Sequence, residues 1–262
     1  MAGAAFVAAA LAAAAVAAPW VAPHDPYRAD LANRLQPPSA THPLGTDHLG
    51  RDVLSRLVFG GRASLGIGVG ARLLGACVGL LVGSAAGFWG GWVDALAMRL
   101  ADVVLAMPDL LLALAIAFVL GPGWVNGFVA LGLVGWAGLA RVVRAQVLAV
   151  RGLEFVEAAR AVGASRARIF GRHVVPHALA PALVSIGAGI PSAILAEAGL
   201  SFLGLGVEPP VPSWGQMVAA GRPFVRLAPW TVIYPGLAIT LAVFAFNVLG
   251  DAVREALRPR GL

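Results

Sequence analysis

Apolar residues fill long stretches of the chain, and charged residues interrupt them only at intervals. The charge-free runs cover residues 1–23, 73–93, 110–140, 173–196 and 227–250. A helix that crosses a bilayer needs ~20 apolar residues. The run over 110–140 is too long for one crossing, and the Gly-Pro-Gly turn signal at 121–123 divides it. The pattern therefore predicts six membrane-spanning helices, at about 4–22, 65–88, 97–120, 127–147, 179–203 and 231–250.

The fold class follows from what a bilayer permits. Open sheets leave backbone groups unpaired in lipid, and the apolar runs lack the ~10-residue alternation of a membrane β-barrel. We therefore expect an all-α integral membrane protein. The first run also fits a signal peptide, with a cleavage-like site near Ala17 and Ala18. However, the basic region that begins a signal peptide is missing after Met1. An uncleaved first span is expected, and a cytoplasmic leader ahead of Met1 is compatible with this start.

Composition narrows the function. Hydrophobic residues make up 59% of the 262 positions and charged residues 12%, and this apolar excess excludes a disordered chain. Cys77 is the only cysteine, so an internal disulfide or a cysteine zinc site is excluded. All 19 basic residues are Arg. Without Lys the chain lacks a standard P-loop, so ATP, if it drives this protein, is bound by another subunit. We expect no enzyme activity, catalytic residue or cofactor in this chain.

Loop charges predict the orientation. Residues 141–178 carry seven Arg against two acids, and residues 251–262 carry three Arg against two acids. The intervening segments 23–64 and 204–230 carry seven Arg against five acids. Because cytoplasmic loops are enriched in basic residues, both termini and the 148–178 loop are expected in the cytoplasm. The +6 net charge is dispersed between apolar runs, so nucleic acid is not an expected partner.

The 148–178 loop contains a predicted amphipathic helix. One face is apolar and consists of Phe155, Val156, Ala159 and Val162. The other face is charged and consists of Glu154, Glu157 and Arg160. Gly163 ends this helix, and Ser165 caps a second one that runs to about Arg172. Pro176 then begins the next membrane helix. The apolar face is available either to membrane lipid or to a protein partner.

The spacing in this loop resembles the EAA motif of ABC-importer permeases. The residues that carry the resemblance are Glu157, Ala158, Ala159, Gly163 and Pro176. In the general motif an Ile and a Leu precede the Pro, whereas His173 and Val175 stand there in this chain. The resemblance implies that the helix is a coupling helix seated in a groove of a separate ATPase subunit.

Three further segments resemble dipeptide and oligopeptide permeases of the "C" type: His42–Leu65, Met98–Gly121 and Leu200–Met217. This resemblance implies a type I importer permease in the bacterial inner membrane. It implies a heterodimer with a second permease subunit, two ATP-binding subunits and an extracytoplasmic substrate-binding protein. The same branch carries peptides or related solutes such as nickel. We expect three regions: 1–61 with the first span and an extracytoplasmic segment, the permease core over 62–251, and a cytoplasmic tail over 252–262.

Three acidic residues are predicted in or beside spans: Asp102, Asp109 and Glu197. Acidic groups in a membrane mark substrate paths or polar contacts. Asp102 and Asp109 are seven residues apart and so on one helix face, and Arg99 is placed to pair with Asp102 at the interface. For Glu197, a contact with a partner helix and a place in the path are both open.

The segment after the first span is rich in polar chemistry: His24, Asp25, His42, Asp47, His48 and Asp52. Its spacing matches no metal-ligand motif such as H-E-x-x-H, so we expect no metal site. A structural role is expected, with Gly45 and Gly50 shaping a turn before an amphipathic helix at 51–59. Two other classes stay open: a membrane hydrolase, and an ion-coupled secondary transporter that uses the three intramembrane acids. The latter requires inverted repeats and broken helices, and no convincing repeat is found.

Overall fold

The computed structural model describes residues 2–256, apart from the side chains of Ala2 and Ala180. These residues form helices, with one isolated bridge between Thr46 and Asp52. Helices satisfy their backbone hydrogen bonds internally, as a bilayer requires. The predicted all-α class is therefore confirmed. Met1 and residues 257–262, which hold most of the predicted tail, lie outside the described residues.

Twelve α-helices follow one another in the described part of the chain. They are α1 (Ala2–Val16), α2 (Ala18–Val21), α3 (Val53–Trp89), α4 (Gly91–Leu105), α5 (Asp109–Leu120), α6 (Trp124–Val134), α7 (Ala137–Val150), α8 (Glu154–Ala161), α9 (Arg166–Ile169), α10 (Val175–Phe202), α11 (Trp214–Gly221) and α12 (Trp230–Ala256). A π-helical turn, Phe170–Val174, joins α9 to α10.

Four helical stretches of the described chain are long and apolar enough to cross a membrane: α3, α6 with α7, the Pro181–Phe202 part of α10, and α12. The pair α4 and α5 would make a fifth, although it is bent by 94°. The apolar stretch of α1, Gly3–Val16, is shorter than a usual span. Helix length and composition thus support four or five spans, and the predicted count of six is not confirmed.

The first long helix differs from the prediction. A separate amphipathic helix at 51–59 was predicted before a span at 65–88, but α3 runs unbroken for 37 residues. Asp52 caps its N-terminus, where the Ser55 backbone N–H donates to Asp52 Oδ2 at 2.7 Å. Gly60 and Gly61 lie within this unbroken helix, and the Trp214 ring packs closely over both.

The predicted third span is broken. α4 ends at Leu105 and α5 begins at Asp109, with Pro108 in an extended conformation between them. Proline lacks the N–H of a helix interior and disfavours the helical conformation of the residue before it. Because the two helices meet at 94°, Asp102 and Asp109 do not share one helix face, and that prediction was wrong.

α3 is the central helix of the bundle, and α7 packs closely along it. A stripe of glycines makes this approach possible: Gly75, Gly79, Gly83 and Gly87. A β-carbon at Gly83, for example, would overlap the backbone carbonyl of Ala140. Small residues allow helix backbones to approach closely in membranes. Helices α10 and α12 complete the bundle, and three apolar clusters of buried residues fill its interior.

Candidate functional site

α8 lies at the surface and is held to the bundle by one side. Val156 is fully buried and belongs to the same apolar cluster as Val147 on α7 and Val174 before α10. Acidic residues occupy the first turn of α8 and Arg160 its last, which complements the helix dipole. Val156 therefore fastens the helix to an apolar cluster that both neighbouring membrane helices share.

The predicted apolar face of α8 is divided between two directions. Ala159 is half-buried and packs against the cluster that contains Val156. Val162 is 84% exposed and Phe155 is 39% exposed. The predicted amphipathic helix is therefore present, and the chain itself covers only part of its apolar face. Glu157 and Ala158 lie on the exposed outer side.

Gly163 ends the helix as predicted. Its φ is +83°, a left-handed conformation that favours glycine. The Gly163 N–H donates to Arg160 O, and the Ala164 N–H donates to Ala159 O, both at 3.0 Å. These two bonds form a Schellman motif. Ser165 then caps α9 as predicted, since its Oγ accepts from the Arg168 N–H at 3.3 Å.

A second contact joins α8 to the start of α10, and the sequence pattern did not reveal it. The Phe155 ring stacks on His177, with ring centroids 5.0 Å apart. The π-helical turn lies just before this point, where the Val175 N–H bonds to Phe170 O. Pro176 follows in the first turn of α10, so the predicted helix start is close to the observed one, but no break precedes it.

A polar cavity of 620 Å³ lies beside α8. Three arginines and one acid line it: Arg151, Arg160, Arg166 and Glu157. Within the described residues Glu157 makes no ion pair, whereas Arg151 donates to Gly87 O at 3.0 Å. The exposed edge of α8 therefore presents Glu157 next to a strongly basic surface.

The candidate path residues lie in three different environments. Asp102 pairs with Arg141 on α7, and both side chains are about half-exposed. The predicted Arg99–Asp102 pair was wrong, because Arg141 reaches Asp102 from the neighbouring helix. Asp109 is exposed at the first position of α5.

Glu197 is only 1% exposed on α10. Ser201 Oγ donates to its Oε1 at 2.7 Å, and Ser64 of α3 and Ser213 lie beside it. Its Oε2 has no hydrogen-bond partner among the described residues. Glu197 therefore makes its polar contacts within its own chain. A helix of a partner subunit is not needed to account for these contacts.

Arg72 is a charged residue of the bundle interior that lies inside the predicted span at 65–88 and that the sequence analysis did not single out. It lies near the middle of α3 and donates to backbone carbonyls of two other membrane segments. The signal that could have identified it is a charged residue inside the predicted span at 65–88, where a charge marks a polar contact or a substrate path.

The histidines that follow α2 come together in space. His42 Nδ1 lies 2.9 Å from Asp52 Oδ1 and His24 Nδ1 lies 4.0 Å from it. The ligand atoms of the three residues lie within 4.8 Å of one another, a proximity that sequence spacing could not show. Asp52 Oδ2 accepts from the Ser55 N–H and hydroxyl, so capping of α3 accounts for the carboxylate.

The chain matches two known family descriptions. Residues 79–261 match the binding-protein-dependent transport system inner membrane component. Residues 1–38 match the N-terminal TM domain of oligopeptide transport permease C. The first match covers well over half of the chain and includes α8.

Curated relatives and solved structures agree with these matches. The dipeptide transport system permease protein DppC of Alkalihalophilus pseudofirmus is 44% identical over 232 residues, which are 87% of this chain and 75% of the relative. The oligopeptide transport system permease protein OppC of Bacillus subtilis is 41% identical over 246 residues, covering 94% of this chain and 81% of the relative. The inward-facing MetNI methionine ABC transporter is 17% identical with a TM-score of 0.61 over 77% of this chain and 96% of that chain, which shows a shared fold.

These matches cover the spans, the glycine-terminated surface helix and the segment that precedes α3. They leave the ion-coupled secondary transporter and the membrane hydrolase without support. The chain therefore belongs to the family of binding-protein-dependent transport system inner membrane components, the multi-pass permease subunits of ABC transporters.

Proposed function

We propose that this chain forms half of the translocation path of an importer for di- and oligopeptides. The observation that carries the proposal is the likeness, along most of the chain, to permeases whose names specify dipeptides and oligopeptides. For the same reason we prefer peptides to nickel as the cargo. The other half of the path is a second, homologous permease subunit, and an extracytoplasmic binding protein delivers the peptide.

ATP binding is assigned to two separate subunits at the cytoplasmic side. The absence of Lys from the sequence supports this assignment, since a P-loop uses Lys to contact the phosphates. The chain itself is then a mechanical subunit with no cofactor and no catalytic residue. The expected behaviour of the isolated, purified chain is that it hydrolyses no ATP.

The outer side of α8 is the surface that we assign to the ATPase subunit. A short helix laid into a groove of a partner is a common docking mode. Closure of the ATPase subunits would displace α8, and its two attachments would carry the displacement inward. Val156 links it to α7 and α10, and Phe155 links it to His177 at the start of α10. Packed helices transmit such shifts as rigid-body motion.

Import by the reconstituted complex tests the function directly. The two permease subunits and the ATPase subunits would be placed in proteoliposomes with the binding protein outside and a radiolabelled dipeptide as cargo. The expected result is accumulation that needs both ATP and the binding protein. Accumulation that persists without ATP, or complete absence of dipeptide import, would contradict the proposal.

Substitutions at two glycines of the same loop distinguish a loss of coupling from general damage to the fold. A β-carbon has room at both Gly163 and Gly152, but only Gly163 has a positive φ. Gly163→Ala should strain the end of α8 by ~1–2 kcal/mol, lower the retention of ATPase subunits during purification and reduce import. Gly152→Ala is the matched control and should behave as wild type. Equal behaviour of the two variants would argue against a coupling role.

Crosslinking locates the docking surface. Ala158 is exposed on α8, whereas Ala159 is half-buried against the chain itself. In a Cys77→Ala background, Ala158→Cys should crosslink to an ATPase subunit, and Ala159→Cys should do so poorly. If Ala158→Cys reacts only with lipid-borne reagents, α8 is a membrane-surface helix instead.

A further inference from the structure

Arg72 joins three membrane segments at the middle of α3. Its Nη2 donates to Ser185 O at 2.6 Å, its Nη1 to Gly135 O at 3.2 Å and its Nε to Ile186 O at 3.4 Å. The guanidinium can lie against α10 because residue 189 is glycine, where a β-carbon would overlap it. The three carbonyls hold the charged group inside the apolar bundle.

One helix interruption contacts this arginine, and a second lines the same cavities. One separates α6 from α7 at Gly135, whose carbonyl Arg72 binds. The other is the 94° bend between α4 and α5, and Asp109 is the first residue of α5 after it. Interrupted membrane helices with a half-helix N-terminus at a cavity are a recurring way to build substrate sites within membranes.

Arg72 and Asp109 line the same space. Cavities of 430 Å³ and 320 Å³ lie beside them, and both cavities are lined by Arg72, Asp109, Val134, Gly135 and Gly189. Arg254 also lines the smaller cavity, and the rest of the lining is small or apolar, as in typical ligand pockets of roughly 300–1,000 Å³. We call this space the Arg72–Asp109 cavity.

Both charges have capacity left for a ligand. A guanidinium has more N–H donors than the three that Arg72 uses, and its shape suits a carboxylate. Asp109 makes no ion pair within the described part of the chain. Charged groups inside a membrane protein face its interior or a water-filled cavity and mark substrate pathways. In the 430 Å³ cavity Arg72 and Asp109 are the charged lining residues, and one cationic and one anionic group match a cargo that carries both charges.

We propose that the Arg72–Asp109 cavity is a transient binding site in the translocation path for zwitterionic short peptides. Arg72 binds the terminal carboxylate of the cargo and Asp109 binds its terminal ammonium group. This inference rests on the proposed function, because it takes the peptide cargo from there. It adds that the permease itself, and not the binding protein alone, recognises the two free termini.

Charge rescue at position 109 is the first test. In proteoliposomes containing the whole transporter and its binding protein, Asp109→Asn should lower import of a labelled dipeptide by about tenfold. In a Cys77→Ala background, Asp109→Cys should import slowly, recover after modification with a sulfonate-bearing thiol reagent and stay slow after modification with a trimethylammonium reagent. Glu255→Gln removes an exposed carboxylate outside the cavity and is the matched control. Equal effects of both reagents, or wild-type import by Asp109→Asn, would overturn the proposal.

Protection by cargo separates substrate binding from pairing with another subunit. Saturating dipeptide and binding protein should slow the modification of the thiol introduced by Asp109→Cys. An unchanged modification rate would show that the carboxylate serves a protein contact and would overturn the proposal.

Arg72 is tested by two substitutions that both keep hydrogen-bond donors. Arg72→Lys retains the positive charge and should import several-fold faster than Arg72→Gln, which lacks it. Equal import by the two variants would show that Arg72 has only a structural role and would overturn the proposal.

The wild-type complex distinguishes this inference from the proposed function. If the wild-type complex imports no dipeptide, the proposed peptide cargo is wrong. If it imports dipeptide normally and the variants do so too, only the inference about the Arg72–Asp109 cavity is wrong.

Discussion

Arg144 on α7 binds Asp94 on α4 through two hydrogen bonds, from Nε to Oδ1 and from Nη2 to Oδ2, the latter 2.6 Å long. The side chains are 33% and 21% exposed, respectively. A two-point bond between guanidinium and carboxylate fixes orientation as well as distance. It attaches the beginning of the bent α4–α5 pair to α7, on the side of the bundle that carries α8.

This pair predicts a charge-swap result. Asp94→Arg alone places two arginines together and should destabilise the chain by ~1–2 kcal/mol, and adding Arg144→Asp should restore most of the loss. The more exposed Asp102–Arg141 pair is the control, where the same single swap at Asp102 should cost under ~1 kcal/mol. Thermal unfolding of the purified protein in detergent measures all variants. If the double variant does not regain stability, the ion pair does not stabilise the contact between α4 and α7.

Glycine-to-alanine substitutions at two positions of α3, one inside the glycine stripe and one outside it, should have opposite effects on stability. At Gly83 a β-carbon would overlap the Ala140 carbonyl of α7, whereas at Gly66 it meets nothing within 4 Å. Gly66→Ala should be neutral or stabilise by up to ~1 kcal/mol, because alanine favours helix. Gly83→Ala should destabilise by ~1–3 kcal/mol, because α3 and α7 must separate. Similar melting temperatures for both would contradict the close packing of these helices.

His48 predicts a dependence of stability on pH. Burial lowers the pKa of His48 below its ordinary value of 6.5, reinforced by Arg51, Arg56 and Arg34 and opposed by Asp47. Below pH 6.5 the unfolded chain therefore binds a proton that the folded chain resists, so stability is lost as the pH falls through that value.

The matched variant is His48→Phe, which keeps an aromatic ring against Phe224, whose centroid lies 5.7 Å from that of His48. Melting temperatures at about pH 7.5 and about pH 5.5 should differ less in His48→Phe than in wild type. An unchanged difference would assign the pH dependence to other groups.

Labelling of introduced cysteines tests the orientation. Val162 and Val211 are 84% and 41% exposed and lie on either side of the single helix α10. In a Cys77→Ala background, an impermeant thiol reagent applied to intact cells should label Val211→Cys and not Val162→Cys. Ser213 is unsuitable for this purpose, because it is buried as the cap of α11. The reverse labelling pattern would place α8 outside and contradict the proposed docking to ATPase subunits.

The sequence by itself determined the features that depend on neighbouring residues. Long charge-free runs required an all-helical membrane protein, because backbone groups in lipid must bond within a helix. The end of α8 at Gly163 and the start of α9 at Ser165 were also predictable. A left-handed glycine and a side-chain cap are local conformational signals.

Only the tertiary structure decided how these elements meet. The ring of Trp214, a residue far away in the sequence, packs over Gly60 and Gly61 within α3. The partners of Asp94 and Asp102 come from α7, so spacing within α4 could not identify them. Arg72 lies inside a predicted span, but only the structure shows that backbone carbonyls of two other segments accept hydrogen bonds from its guanidinium. Contacts between segments depend on the path of the backbone in space, and the local pattern of residues does not contain that path.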